Sequence, residues 1–193
     1  MMKKRAAAIC LTGILIVGIL SGCVKVKVSF SKKDDKNQVS SEQTGNDDSQ
    51  DAAADGSKYD IPDGWVIAEQ MSTENKKFYV EEGHASDSQP DNFSMEYGTN
   101  RYAAAEHERF RDAIMQQLAR QTAQYGATVE GSGKKTDNGD IFYIFRIDYE
   151  EAVATQIYIV GERSYCFIFA TDFTGNSTAA DAALAVAKSF RWE

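Results

Sequence analysis

The stretch DIFYIFRIDYEEAVATQIYIVGERSYCFIFAT, residues 140–171, contains three apolar and aromatic runs divided by short polar joints. The runs occupy residues 140–149, 154–161 and 164–171, and the joints contain Glu-Glu and Gly-Glu-Arg. Joints this short connect antiparallel strands, because parallel strands need a crossover of a dozen residues or more. At 141–145 and 165–169 both faces of the strand are apolar, which indicates a sheet covered on both sides.

A fourth strand is predicted upstream, in TVEGSGKK at residues 128–135. The turn TDNGD, residues 136–140, follows it and contains Asn-Gly, the strongest short signal for a β-hairpin. The same turn could begin a calcium-binding EF-hand loop, which needs a bidentate Glu at its twelfth position. Counted from Asp137, that position is Asp148 inside the next strand, so the pattern favours the hairpin.

Three shorter strands are predicted nearer the N-terminus, at WVIAEQ (65–70), KFYVEE (77–82) and NFSMEYG (92–98). The third strand has Phe93, Met95 and Tyr97 on one face and Ser94 and Glu96 on the other. This period of two is typical of a strand with one buried face.

Two helices complete the pattern, at residues 102–126 and 177–190. The first carries an apolar stripe at spacings of three and four residues, with Asn100 as a candidate N-cap. Gly126 is expected to end it, since glycine commonly follows the C-terminus of a helix. In the second, Thr178 and Asp181 approximate a capping box.

The order is three strands, a helix, four strands and a second helix, within residues 58–193. These 136 residues are enough for one domain with its own core. We predict an α+β fold in which an antiparallel sheet of six or seven strands is flanked by helices, an α/β/α sandwich.

Residues 1–22 have the features of a secretory signal peptide. Basic residues at 3–5 precede an apolar run at 6–20 that only Thr12 interrupts, and small residues follow. A helix of that run would span roughly 22 Å. A hydrocarbon core is roughly 30 Å thick, so the pattern favours a signal peptide over a transmembrane helix.

The segment ends at Leu20-Ser21-Gly22-Cys23, which looks like a lipobox, the lipidation and cleavage signal of bacterial lipoproteins. This interpretation predicts cleavage after Gly22 and a diacylglyceryl group on the Cys23 thiol. Two acyl chains anchor a protein stably, whereas one binds reversibly. We therefore expect a lipid-anchored protein at the extracytoplasmic face of the cell membrane. The alternatives are a plain signal peptide with an incidental cysteine, or an uncleaved anchor.

Residues 23–57 are predicted to be the lipidated cysteine and a disordered polar tether, because 34–57 contain hardly any large apolar residues. A random coil of this length has an end-to-end distance of roughly 30–35 Å. The first part, VKVKVSFSKK at 24–33, is basic and alternating. Its lysines either contact anionic headgroups or are simply solvated.

The chain has 21 basic and 29 acidic residues and a net charge of −8. Loss of residues 1–22 would leave 18 basic residues against the same 29 acidic ones, a net charge of −11. Nucleic acids and anionic lipid surfaces attract basic patches. Neither is therefore expected as a partner of the globular domain.

The globular domain has few residues suited to catalysis or metal binding. Cys166 lies among apolar residues and is predicted to be buried and inert. His84 lies in a polar loop and His107 in the long helix, and neither has a partner at ligand spacing, so both are expected at the surface. Local acidic patches either bind a cation weakly or form a solvated face, and the second is the more common; they contain Glu81, Glu82, Asp87, Glu150 and Glu151. We predict no catalytic residue, no metal site and no cofactor.

Four features together resemble the PsbP-like superfamily. They are IPDGW at 61–65, a mid-chain helix closed by Gly126, the hairpin QIYIVGERSYCFIF at 156–169, and AKSFRW at 187–192. The resemblance covers residues 59–192. Members mostly act as non-enzymatic binding or assembly factors, so it implies such a role here, but it carries over no ligand residue.

The sequence thus predicts a non-catalytic lipoprotein that binds or helps to assemble other envelope proteins. A small-ligand-binding lipoprotein and an extracytoplasmic hydrolase are the alternatives. A binding surface is expected in the longest loop, EEGHASDSQPDNF at 81–93, and in the turn DFTGNS at 172–177.

Overall fold

The computed structural model describes residues 28–31, 58–149 and 153–192. Within these ranges the elements are β1 Val28–Ser31, β2 Trp65–Ile67, β3 Lys76–Glu81, β4 Asn92–Thr99, α1 His107–Thr122, β5 Thr128–Lys135, β6 Ile141–Asp148, β7 Val153–Val160, β8 Ser164–Asp172 and α2 Thr178–Ser189. One turn of 3-10 helix precedes α1, at Ala104–Glu106, and another follows it, at Ala123–Tyr125.

Seven strands form an antiparallel sheet in the order β5-β6-β7-β8-β4-β3-β2, and β1 pairs in parallel with the outer edge of β5. The hairpins predicted at the Asn-Gly turn and at the Gly-Glu-Arg joint are confirmed. Gly139 in the first of these turns has a φ of 95°, a left-handed conformation that glycine adopts without steric cost.

Strand β1 lies inside the segment predicted to be a tether. Residues 28–31 of the segment predicted to be a disordered tether thus form a strand. The predicted antiparallel sheet of six or seven strands is confirmed with seven strands, and β1 adds a parallel strand at the edge of β5. Without β1, β5 would present a row of unpaired backbone groups, and residues 28–31 supply a strand that pairs with them. Leu20, Ser21, Gly22 and Cys23 lie outside the described residues, as do all other residues of 1–27 and 32–57.

One helix covers each face of the sheet, so the predicted α/β/α sandwich is confirmed. On one face α2 contributes Val186 and four alanines to a cluster with Phe93, Phe142 and Ile157. On the other face α1 contributes Phe110 and Leu118, which pack against aromatic residues of the central strands. Neither helix of the described ranges is long and apolar enough to cross a membrane.

The helix ends differ in part from the prediction. Asn100 is not the N-cap of α1. Its Oδ1 accepts a hydrogen bond from the Tyr102 N–H at 2.7 Å in the preceding turn, and α1 begins after a 3-10 turn. Gly126, with a φ of 64°, ends the second 3-10 turn as predicted. The expected capping box of Thr178 and Asp181 is not formed, because α2 begins after Ser177, which has no side-chain capping bond.

The hairpins bring several connections to one end of the sheet, which we call the loop end. Here β5 begins where β6 ends, and β7 begins where β8 ends. The loop between β3 and β4 (82–91), the turn between β8 and α2 (173–177) and the turn before β2 all lie at this end. Since β1 runs parallel to β5, it also begins there.

Candidate functional site

The two loops selected from the sequence meet at the loop end, where Asp91 joins them. Its Oδ1 accepts hydrogen bonds from the N–H groups of Phe173 at 2.6 Å and Thr174 at 3.0 Å. Its Oδ2 accepts from the hydroxyl of Thr174 and from that of Thr178 at 3.3 Å. We call this arrangement the Asp91 clamp, because one carboxylate fixes loop 82–91 to the chain that leads into α2.

The Asp91 clamp holds an ionised carboxylate. Partial burial alone would raise the pKa of Asp91, but the hydrogen bonds from Thr174, Phe173 and Thr178 outweigh it and leave the pKa below its ordinary value. A folded-state pKa that is lowered contributes stability at neutral pH, and this stability is lost as the pH falls through that pKa. The clamp therefore stays intact throughout the neutral range.

An open cleft of about 350 Å³ lies beside the Asp91 clamp. Its lining residues come from the turn before β2, the end of β3 and the first turns of α2, namely Pro62, Trp65, Glu81, Thr178, Asp181, Ala182 and Ala185. The Trp65 ring packs on Phe93 with the ring centroids 5.1 Å apart, which fixes the indole in the wall. Thr178 belongs to both features, so the clamp positions one side of the cleft.

The cleft is acidic and partly aromatic. Its lining contains two carboxylates, Glu81 and Asp181, and no Lys, Arg, His or Cys. Across the described ranges, no three His, Cys, Asp or Glu side chains are grouped as metal ligands. The arrangement suits a small ligand with a positively charged group, since carboxylates and an indole face both attract cations.

Asp172, the last residue of β8, caps the N-terminus of α2 in place of the capping box predicted at Thr178 and Asp181. Its Oδ1 accepts the N–H of Ala179 at 2.9 Å, near the positive end of the α2 dipole. The residue is only 3% exposed, and Oδ2 has no hydrogen-bond partner among the described residues. Burial raises the pKa of Asp172, and the nearby charge of Asp91 adds to this effect.

We expect Asp172→Asn to raise the free energy of unfolding at pH 7 by about 1 kcal/mol. The amide oxygen still accepts from Ala179, while the buried charge is removed. Because the folded-state pKa is raised, the wild-type protein is stabilised by this group at low pH and loses that stability as the pH rises through the pKa. In urea unfolding between about pH 4 and pH 8, the advantage of the variant should grow with pH.

Asp181→Asn is the matched control, because Asp181 lies in the same first turn of α2 but is exposed. It should be neutral or slightly destabilising, since a favourable charge near the helix N-terminus is lost. If Asp172→Asn were less stable than the wild type at every pH, the assignment of Oδ2 as a destabilising buried oxygen would be wrong.

The two histidines differ in their surroundings. His84 is exposed, as predicted, and its Nδ1 lies 2.7 Å from Asp87 Oδ2, a hydrogen bond that raises the pKa of His84. His107 is half-buried, and its Nδ1 lies 2.6 Å from the hydroxyl of Tyr143, which is 3% exposed. His107 is thus only partly exposed, because β6 presents a buried tyrosine opposite the start of α1.

The remaining predicted residues are placed as follows. Cys166 is fully buried in the core beneath α2, as expected. Glu81 lines the cleft, whereas Glu82 and Asp87 are exposed. Glu150 and Glu151 lie outside the described residues.

No family model and no curated protein matches the chain. Among solved structures, the chain is similar to the solution structure of cyanobacterial PsbP (CyanoP) from Synechocystis sp. PCC 6803, with 13% identity and a TM-score of 0.45 over 78% of this chain and 98% of that one. It is also similar to a crystal structure from Bacteroides thetaiotaomicron VPI-5482, with 11% identity and a TM-score of 0.39 over 71% of this chain and 45% of that one.

Proposed function

We propose that this protein is a non-catalytic binding or assembly module of the PsbP-like type, held at the extracytoplasmic face of the cell membrane by a lipid on Cys23. The Asp91 clamp carries the proposal. It joins segments more than 80 residues apart into one surface at the loop end of the sheet. A surface of this kind is suited to a protein partner of the envelope.

The surface beside the Asp91 clamp is exposed although its backbone is fixed. Residues 82–89 and 173–176 are all exposed, and Phe173 presents an aromatic ring among them. A loop that is already ordered loses less conformational entropy when it binds, and this increases affinity without new contacts. Loops positioned by a rigid scaffold commonly carry binding residues.

A small-ligand-binding role is the second candidate, and the acidic cleft supports it. Its volume of about 350 Å³ lies at the small end of the range for ligand pockets. The ligand would be a small molecule with an amine or guanidinium group, because such a group pairs with Glu81 and Asp181 and can stack on Trp65.

Asp91→Ala is expected to reduce capture of a partner by about tenfold or more, because it removes the carboxylate that holds both loops. The measurement is crosslinking in cells from a photoreactive residue at exposed Ser88, followed by mass spectrometry of the captured proteins. In hydrogen exchange, the amides of Phe173 and Thr174 should exchange about tenfold faster in the variant.

The control is Asp87→Ala, which removes a carboxylate from the same loop but breaks only the contact with His84. It should leave the exchange of both amides unchanged, and it should reduce capture much less than Asp91→Ala does. Full capture by Asp91→Ala, despite faster exchange at Phe173 and Thr174, would exclude the clamped loops as the binding surface. A folded domain that captures no protein at all would make the small-ligand role the leading hypothesis.

A further inference from the structure

The aromatic side chain of Tyr125 lies outside the core of the domain. It ends the 3-10 turn after α1 and is 65% exposed. Its ring meets that of half-buried Tyr149 edge-on, with the centroids 6.4 Å apart. We call these two residues the tyrosine pair.

The tyrosine pair lies at the corner of the sheet where β1 begins. Val28, the first residue of β1, pairs with Val129, which is four residues beyond Tyr125. Asp148, which precedes Tyr149, pairs with Thr128 of β5. Because β1 runs parallel to β5, the N-terminal end of β1, to which residue 27 is joined, lies at this corner.

Only residues 24–27 separate Cys23 from β1. A fully extended chain spans about 3.3–3.6 Å per residue, so five steps reach at most about 18 Å. This is well below the roughly 30–35 Å expected for a random coil through residue 57. A lipid on Cys23 would therefore hold the corner with the tyrosine pair close to the bilayer surface.

We infer that the tyrosine pair is a membrane contact, in which both phenol rings lie among the lipid headgroups. The inference rests on the proposed lipidation of Cys23. Tyrosine suits this position, since its ring is apolar, its hydroxyl is polar, and it is enriched at membrane–water interfaces. Seated in this way, the domain rests on the bilayer by the corner formed by β1, β5 and β6.

The contact is aromatic rather than electrostatic. The chain is acidic, and Arg146, the basic residue near this end of β6, is already paired with Asp148 at 2.9 Å. Anionic lipid would attract Lys25 and Lys27, in the four residues before β1, and this attraction would add to the aromatic contact without replacing it. Because the Asp91 clamp lies at the same end of the sheet, a partner of the clamp is expected to be membrane-bound itself.

The test uses the full, lipidated chain reconstituted into vesicles of phosphatidylcholine with brominated acyl chains. Tyr125→Trp places an indole at the corner, and Asn138→Trp places one at the opposite end of the sheet, in the turn between β5 and β6. The fluorescence of each introduced indole is taken as the difference from the wild-type protein, which has Trp65 and Trp192. Flotation of the vesicles reports anchoring separately.

We expect the indole introduced by Tyr125→Trp to be quenched at least about threefold more than that introduced by Asn138→Trp, because apolar groups at the interface reach about 5–10 Å into the boundary between headgroups and acyl chains. The ratio should persist when anionic lipid is added. Equal and weak quenching of both variants, in protein that floats with the vesicles, would overturn the membrane contact but not the anchor. Protein that fails to float would overturn the anchor, and this inference with it.

Discussion

Tyr158→Ala is expected to lower the free energy of unfolding by about 4 kcal/mol, a large part of the roughly 5–15 kcal/mol typical of a domain. Tyr158 is 7% exposed and lies in β7, a central strand of the sheet. Its ring centroid lies 4.8–5.9 Å from those of four other aromatic residues, namely Phe110, Phe145, Tyr165 and Phe167. Phe110 belongs to α1, so removal of the Tyr158 ring weakens the packing of that helix on the sheet.

Tyr158→Phe is the matched variant, because it keeps the ring and removes only the hydroxyl, which donates to Gln156 Oε1 at 3.0 Å. This variant should lower the free energy of unfolding by about 1 kcal/mol. Burial raises the pKa of Tyr158, so its hydroxyl remains protonated at neutral pH and ionisation does not complicate the comparison. Urea unfolding followed by circular dichroism measures both changes. Equal losses in the two variants would mean that the hydroxyl, and not the ring packing, secures α1.

The central strands could be predicted almost to the residue because their signals are local. Asn138-Gly139 and the joint Gly161-Glu162-Arg163 each specify a turn within a few residues. The apolar residues on both faces of β6 and β8 required cover on both sides, which the two helices provide. These signals fixed the layers of the fold without any information about distant contacts.

Strand β1 could not be predicted in this way because its partner lies about a hundred residues further along the chain. Its four residues pair with Val129–Ser132, and a short alternating run in a polar segment does not by itself specify a strand. The cap of α2 was missed for the same reason. Asp172 belongs to a buried strand, and only the fold brings its Oδ1 to Ala179.

The site could be predicted only as a pair of loops. The length and polarity of 81–93 and 172–177 marked them as candidates, and the structure brings them together. That Asp91 is the joining residue has no signal in the sequence, since it is one of several acidic residues in a polar loop. The His107–Tyr143 contact likewise depends on which tyrosine of β6 faces inward.

Cys23→Ala is expected to abolish lipid attachment completely. The thiol is the only group at this position that can take the diacylglyceryl chains, and alanine has no nucleophile. If cleavage follows lipidation, the variant should also keep residues 1–22. The measurements are incorporation of a labelled fatty acid and the intact mass of the purified protein, which should begin at a modified Cys23 in the wild type.

Fractionation alone would not show whether Cys23 is lipidated, because an uncleaved apolar segment at 6–20 could still retain the variant in the membrane fraction. Cys166→Ala is the control, since that thiol is fully buried beneath α2 and should leave both lipid label and cleavage unchanged. A wild-type protein cleaved elsewhere with an unmodified Cys23 would support the plain signal peptide. The reach of about 18 Å from Cys23 to β1 would then no longer hold the tyrosine pair near the bilayer. The exposure of Tyr125 would need another explanation.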